Sequence, residues 1–139
     1  MQPNLQPRWR LMQAVLTERP EAVVQTTVRL WEQLAPELIL IIGQGGFEPI
    51  YARSVQQAGK QYPWLVKIAP IPPGVTHFTG LQDRLQAQDL TQATQASVLL
   101  FTTFLDILAS LIGEELTTHL LHVAWHIDTS ETPAKESSK

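Results

Sequence analysis

The sequence predicts an all-α protein, an antiparallel bundle of five or six helices. Two long segments carry the prediction. Val24, Val28, Trp31, Ala35, Leu38 and Ile42 recur at intervals of 4, 3, 4, 3 and 4 residues. Leu90, Ala93, Ser97, Leu100, Phe104, Ile107 and Leu111 recur at 3, 4, 3, 4, 3 and 4. Both spacings line one face of a 3.6-residue helix. Each segment ends at a glycine, Gly43 or Gly113, and a second amphipathic run follows.

Residues 1–7 hold two prolines and no periodicity, and read as a flexible arm. Residues 8–18 place Trp9, Met12 and Leu16 at helical spacing beside Leu11 and Val15. Arg19-Pro20 stops that helix, because a residue before proline is pushed out of the α region. Thr17 then reads as an N-cap for the next helix. The second helix carries a further stripe, Val23, Leu30, Leu34 and Ile41, so it is covered on more than one side. Pro36 removes a backbone N–H and predicts a kink, or two helices meeting near residue 35.

Gly43 to Gly46 break the run, and "FEPIYARSVQQAGKQY" resumes it with Glu48-Pro49 in a first turn. Residues 63–75, "PWLVKIAPIPPGV", contain four prolines. They predict an extended strap whose apolar side chains lie on the parent bundle or on a second subunit. A short helix over 77–87 follows. Asp89 or Thr91 caps the long helix over 90–112, the expected hub, in which Asp106 is the only charge after residue 98. Gly113 ends it, and "EELTTHLLHVAWHI" forms a last helix. The single domain therefore spans 8–127, with a polar, disordered tail over 128–139.

The two glycine-ended segments echo each other. With Gly43 set on Gly113, "LAPELILIIG" lies over "FLDILASLIG", and apolar positions 34, 38, 41 and 42 fall on 104, 108, 111 and 112. This reads as an αα-hairpin duplicated into a pseudo-symmetric bundle, or as two amphipathic pairs that align by composition. Either way, a helix ending in left-handed αL geometry takes glycine at its C′ position.

Composition excludes several classes. Of 139 residues, 44% are hydrophobic and 17% are charged, below the usual ~25%. The net charge is −3, and ten scattered basic residues do not form the cationic surface that nucleic-acid binding requires. No cysteine is present, so disulfides and thiolate metal sites are excluded. The N-terminal residues lack a signal-peptide apolar region, and the runs "LILII" and "VLLF" fall short of the ~20 residues of a membrane span. A cytoplasmic protein without membrane association is expected.

The stretch "GQGGFE" is not a nucleotide loop. It has neither GxxxxGK[ST] nor GxGxxG spacing, and it follows a helix rather than a strand. No cofactor is expected. His119, His122 and His126 share a helix face at i, i+3 and i+7. Two such imidazoles can bind a metal, but no HExxH or matched acid accompanies them, and the alternative is a solvated face. None of the four histidines has the H-x-x-K-G pattern of phosphotransfer modules.

Asp106, an acid in an apolar helix, calls for a partner or a gap to water. Arg53 is the expected partner, although Glu37 could pair with Arg53 instead. Trp64, in the strap, is a candidate binding anchor because aromatics dominate interface energetics; the alternative is that it tucks into its own domain. Tyr51 and Arg53 could orient a small acidic or polar ligand between helices.

The run "LWEQLAPELILIIGQGGFEPIYARSV", with "FLDILASLIGEELTTHLLHVAW" downstream, resembles a small uncharacterised all-helical bacterial family associated with two-component signalling proteins. The resemblance spans about residues 25–126 and brings no catalytic motif. It implies a regulatory or interaction role.

No convergent acid, base and nucleophile set appears, so the expected function is non-catalytic. The first expectation is a regulatory or protein-interaction module in bacterial signalling, homodimeric through its long helices and strap, with a signalling protein as a further partner. The alternative is a small-molecule-sensing bundle with an internal cavity. Tyr51, Arg53, Trp64 and Asp106 are the candidate ligand- or partner-binding residues.

Overall fold

Local chemistry sets the helix ends. The computed structural model describes residues 7–67 and 78–125. Among them lie six α-helices: α1 (Pro7–Thr17), α2 (Val23–Ile42), α3 (Gln44–Ala58), α4 (Thr79–Gln86), α5 (Leu90–Ile112) and α6 (Glu114–Trp125). No strand occurs among the described residues. The protein is an all-α bundle, as its periodicity predicts.

Thr17 does not cap α2. Its hydroxyl donates to the Gln13 carbonyl at 2.6 Å and closes α1. A 3-10 turn, Pro20–Ala22, then leads into α2. Pro36 does not divide α2, which runs unbroken for 20 residues. Pro36 and Glu32, whose carbonyl loses its partner, both face solvent, where water can replace the missing N–H. Asp89 caps α5, its Oδ1 accepting the Gln92 amide at 2.7 Å.

The corner after α2 is one residue long. Gly43 alone leaves the helix, and Gly45 and Gly46 belong to α3. Pro49 is therefore the sixth residue of α3, beyond its first turn. The Gly43 amide still donates to Ile39 at 2.8 Å, and its carbonyl accepts from Phe47 at 3.0 Å. The same device joins α5 to α6: Gly113 donates to Ala109 at 2.9 Å and accepts from Thr117 at 3.1 Å. Both glycines have positive φ with extended ψ, 78° and 165° at Gly43, 97° and 157° at Gly113. This is not the αL geometry expected; it is a region open essentially to glycine alone.

The expected strap begins differently. Pro63–Lys67 form a 3-10 turn packed against α3 and α4, so this part is not extended. The rest of it, residues 68–75, lies outside the described residues, as do the arm before Pro7 and the tail.

Helix α5 is the hub. α1, α2, α3 and α6 all pack on it, and Leu100, Phe101, Phe104, Leu105 and Leu108 are fully buried. The stripe does not stay inside over its full length: Leu90 and Leu111, at its ends, are exposed. Ile41, on the second stripe of α2, is exposed as well. Among the described residues, α5 is the one helix long and apolar enough to cross a bilayer, with mean hydropathy 1.7 over its best window. The expectation that no segment reaches that length is thereby amended: counting uninterrupted apolar runs missed α5, whose Thr and Ser residues scarcely lower the average.

A shift of 70 residues relates the halves more fully than the echo suggested. It carries α2 onto the later part of α5, α3 onto α6, and α1 onto the segment holding α4. Every buried residue of α2 falls on a buried residue of α5. Phe47, Ile50, Tyr51, Ser54 and Val55 of α3 fall on Thr117, Leu120, Leu121, Ala124 and Trp125, all buried. Packing follows the same rule. α3 lies on α5 as α6 lies on α2, and α1 lies on α5 as α4 lies on α2. Trp31 stacks on its own counterpart, Phe101, with centroids 4.3 Å apart and planes 13° apart. A ring stacked on its counterpart marks a pseudo-two-fold axis between them.

Candidate functional site

Trp31 is fully buried at the centre of an aromatic cluster. Besides Phe101, it meets Phe104 edge-on at 4.9 Å, Tyr51 edge-on at 5.2 Å and Phe78 at 5.7 Å. Phe47 extends the cluster through Tyr51 at 5.9 Å, and Trp125 extends it through Phe101 at 5.4 Å. These rings come from α2, α3, α5 and α6 and from Phe78 at the start of α4. Each pair at this separation adds about 0.5–1.5 kcal/mol beyond area burial.

Among the described residues, five buried polar atoms lack partners, two of them, on Trp31 and Tyr51, within the cluster. Trp31 Nε1, the Tyr51 hydroxyl and the hydroxyls of Thr27, Ser97 and Thr102 are buried and make no hydrogen bond. Thr27 lies one turn before Trp31, and Ser97 one turn before Phe101; the 70-residue shift makes Thr27 and Ser97 equivalents. Other buried hydroxyls are satisfied. Ser54 donates to Ile50 at 2.7 Å and Thr117 to Gly113 at 2.8 Å. The Trp125 indole donates to the Leu30 carbonyl at 2.8 Å. Each unsatisfied buried group costs about 1–3 kcal/mol. Burial raises the Tyr51 phenol well above its ordinary 10.0, so it stays a neutral donor.

The candidate residues do not share one surface. Tyr51 is interior, in the aromatic cluster. Arg53, two residues on, is exposed on the outer face of α3, so the pair cannot both line an interior site. Trp64 is half-buried against the core and meets Tyr62 edge-on at 6.1 Å. Part of it therefore packs on its own domain. Asp106 is half-buried and has an interaction partner of its own, so it is not a carboxylate stranded among apolar side chains.

His119 and His122 are exposed on α6, and His126 lies outside the described residues. Among the described residues no three His, Cys, Asp or Glu side chains come close enough to hold a metal. Sequence reasoning missed Phe78 and the unpaired polar atoms. Phe78 follows a proline-rich stretch with no periodicity to place it. Whether a hydroxyl finds a carbonyl depends on rotamer and neighbours, which spacing does not encode.

No family model, curated protein or solved structure matches this chain.

Proposed function

We propose that this chain is a non-catalytic regulatory or protein-interaction module of bacterial signalling that acts as a homodimer in the cytoplasm. One observation carries the interaction reading: large aliphatic side chains stand in water at the ends of both long helices. Leu40 is 82% exposed, Ile41 46% and Leu111 64%. Ile41 and Leu111 are equivalents under the 70-residue shift. Leu40 and Ile41 are neighbours in the chain, and covering each of the three side chains on a partner would contribute about 1–2 kcal/mol. The signalling context rests on the resemblance alone.

Sedimentation equilibrium of the full chain and of Leu40→Glu tests the reading. The wild type should dimerise, and the variant should dimerise at least tenfold more weakly, a change of about 1.4 kcal/mol. A wild type that stays monomeric over a wide concentration range overturns it.

A second reading, a small-molecule-sensing bundle, is favoured by two buried donors without partners on adjoining rings, Trp31 Nε1 and the Tyr51 hydroxyl. A small polar ligand offering an acceptor to the Trp31 and Tyr51 donors would satisfy them. Such a ligand should raise the melting temperature in a thermal-shift screen and change tryptophan emission. Failure of every polar metabolite class to do either counts against it.

A further inference from the structure

The two halves, α1–α3 and α4–α6, bury their cores chiefly against each other. α3 and α1 lie on α5, and α6 and α4 lie on α2, whereas α1 touches its own α2 only lightly. The first helix of each half thus packs across the pseudo-two-fold axis rather than at home. The Trp31–Phe101 stack sits on that axis, and the Trp125 indole reaches across to the Leu30 carbonyl at 2.8 Å. Every one of these contacts joins residues on opposite sides of the 59–78 connection.

A half that leaves Trp31, Leu34 and Leu38, or Phe101, Phe104 and Leu108, uncovered cannot hold its own core. It is complete only when the opposite half covers it. That is the organisation of a dimer interface with the two subunits joined in one chain. Nothing in the contacts themselves requires the covering half to belong to the same chain.

We infer that the inter-half surface is an interaction surface whose partner can be the opposite half of a second copy of this chain, giving a dimer by exchange of halves. This is independent of the exposed aliphatic side chains at Leu40, Ile41 and Leu111, which exchange leaves uncovered. It supplies a second route to self-association, through the core rather than the outer surface.

Complementation between two full-length variants tests it. One chain carries Trp31→Asp with Leu34→Asp, and the other carries the equivalent pair, Phe101→Asp with Phe104→Asp. Each puts two carboxylates at fully buried positions, so neither chain should form a bundle alone. Refolded together from urea, the intact first half of one should pair with the intact second half of the other. The expected product is a heterodimer of twice the 15.6 kDa chain mass, with one native bundle and roughly half the wild-type helical signal. It should melt cooperatively, and adding Leu40→Glu to both chains should not abolish it. That last arm separates failure of exchange from failure of the surface dimer. A mixture whose mass and helicity equal the sum of the chains refolded apart overturns the inference. A variant chain that reaches wild-type helicity alone overturns it too, because a half would then not depend on its opposite for a core.

Discussion

Two tryptophan-to-phenylalanine substitutions should separate a bonded indole from an unbonded one. Trp31 and Trp125 are both buried, and both lie in the same aromatic cluster. The Trp125 N–H donates to Leu30 at 2.8 Å, whereas the Trp31 N–H has no partner. Replacing either ring by phenylalanine leaves a void of ~40 Å³, worth about 1 kcal/mol at ~24 cal/mol per Å³. At Trp125 a hydrogen bond of about 0.5–1.5 kcal/mol is also lost, so the total is about 2 kcal/mol of destabilisation. At Trp31 the substitution removes an unsatisfied donor that costs about 1–3 kcal/mol. The two effects offset, and Trp31→Phe should be neutral to slightly stabilising. Urea unfolding followed by far-UV circular dichroism reads the difference, which should be about 2 kcal/mol between the variants. Equal losses, or a larger loss at Trp31, would refute the premise that its N–H is unpaired.

The corner glycines give a second test: Gly43→Ala and Gly113→Ala should each lose about 1–3 kcal/mol, read as a fall in melting temperature. Gly45→Ala should gain about 0.5–1 kcal/mol, because Gly45 is helical and exposed, with open space where a Cβ would stand. Burial holds the Tyr51 phenol protonated in the folded state while the unfolded chain ionises near 10.0. Its contribution is therefore complete below pH ~10 and falls above it by about 1.4 kcal/mol per pH unit. Tyr51→Phe should remove that alkaline slope in denaturant titrations run at several pH values. Asp89→Ala should cost about 1 kcal/mol through loss of the α5 cap, and Asp89→Asn should restore most of it.

The helices were legible because burial imposes a period. The α2 stripe and the α5 stripe could be read directly, and the α5 cap could be narrowed to Asp89 or Thr91, of which the structure uses Asp89. Proline signals were less informative. Pro36 signals a kink or a junction of two helices, yet no junction occurs, and both the proline and Glu32, whose carbonyl it frees, are exposed to solvent. The repeat was visible at the glycines but not in α1 and α4, whose short apolar patterns are offset by a residue. Of the candidate site, Tyr51 and Arg53 do not share an interior face, because a separation of two residues turns helical side chains to different faces. Trp64 and Asp106 stood out by type alone, and residue type does not reveal what a neighbouring helix supplies. The unpaired hydroxyls left no trace in the sequence, since Ser54 and Ser97 look alike until their rotamers are known.

The equivalence of the halves is one of position and not of bulk. Phe47 stands where the other half has Thr117, Val55 faces the place of Trp125, and Ala35 answers Leu105. Large residues in one half meet small ones at the matching places in the other, so the halves have diverged into a complementary pair. A chain built from the first half twice would crowd two Phe47 rings and two Tyr51 rings into space shaped for one of each. A chain built from the second half twice would leave those places hollow. Mispairing of like with like is thus disfavoured by volume.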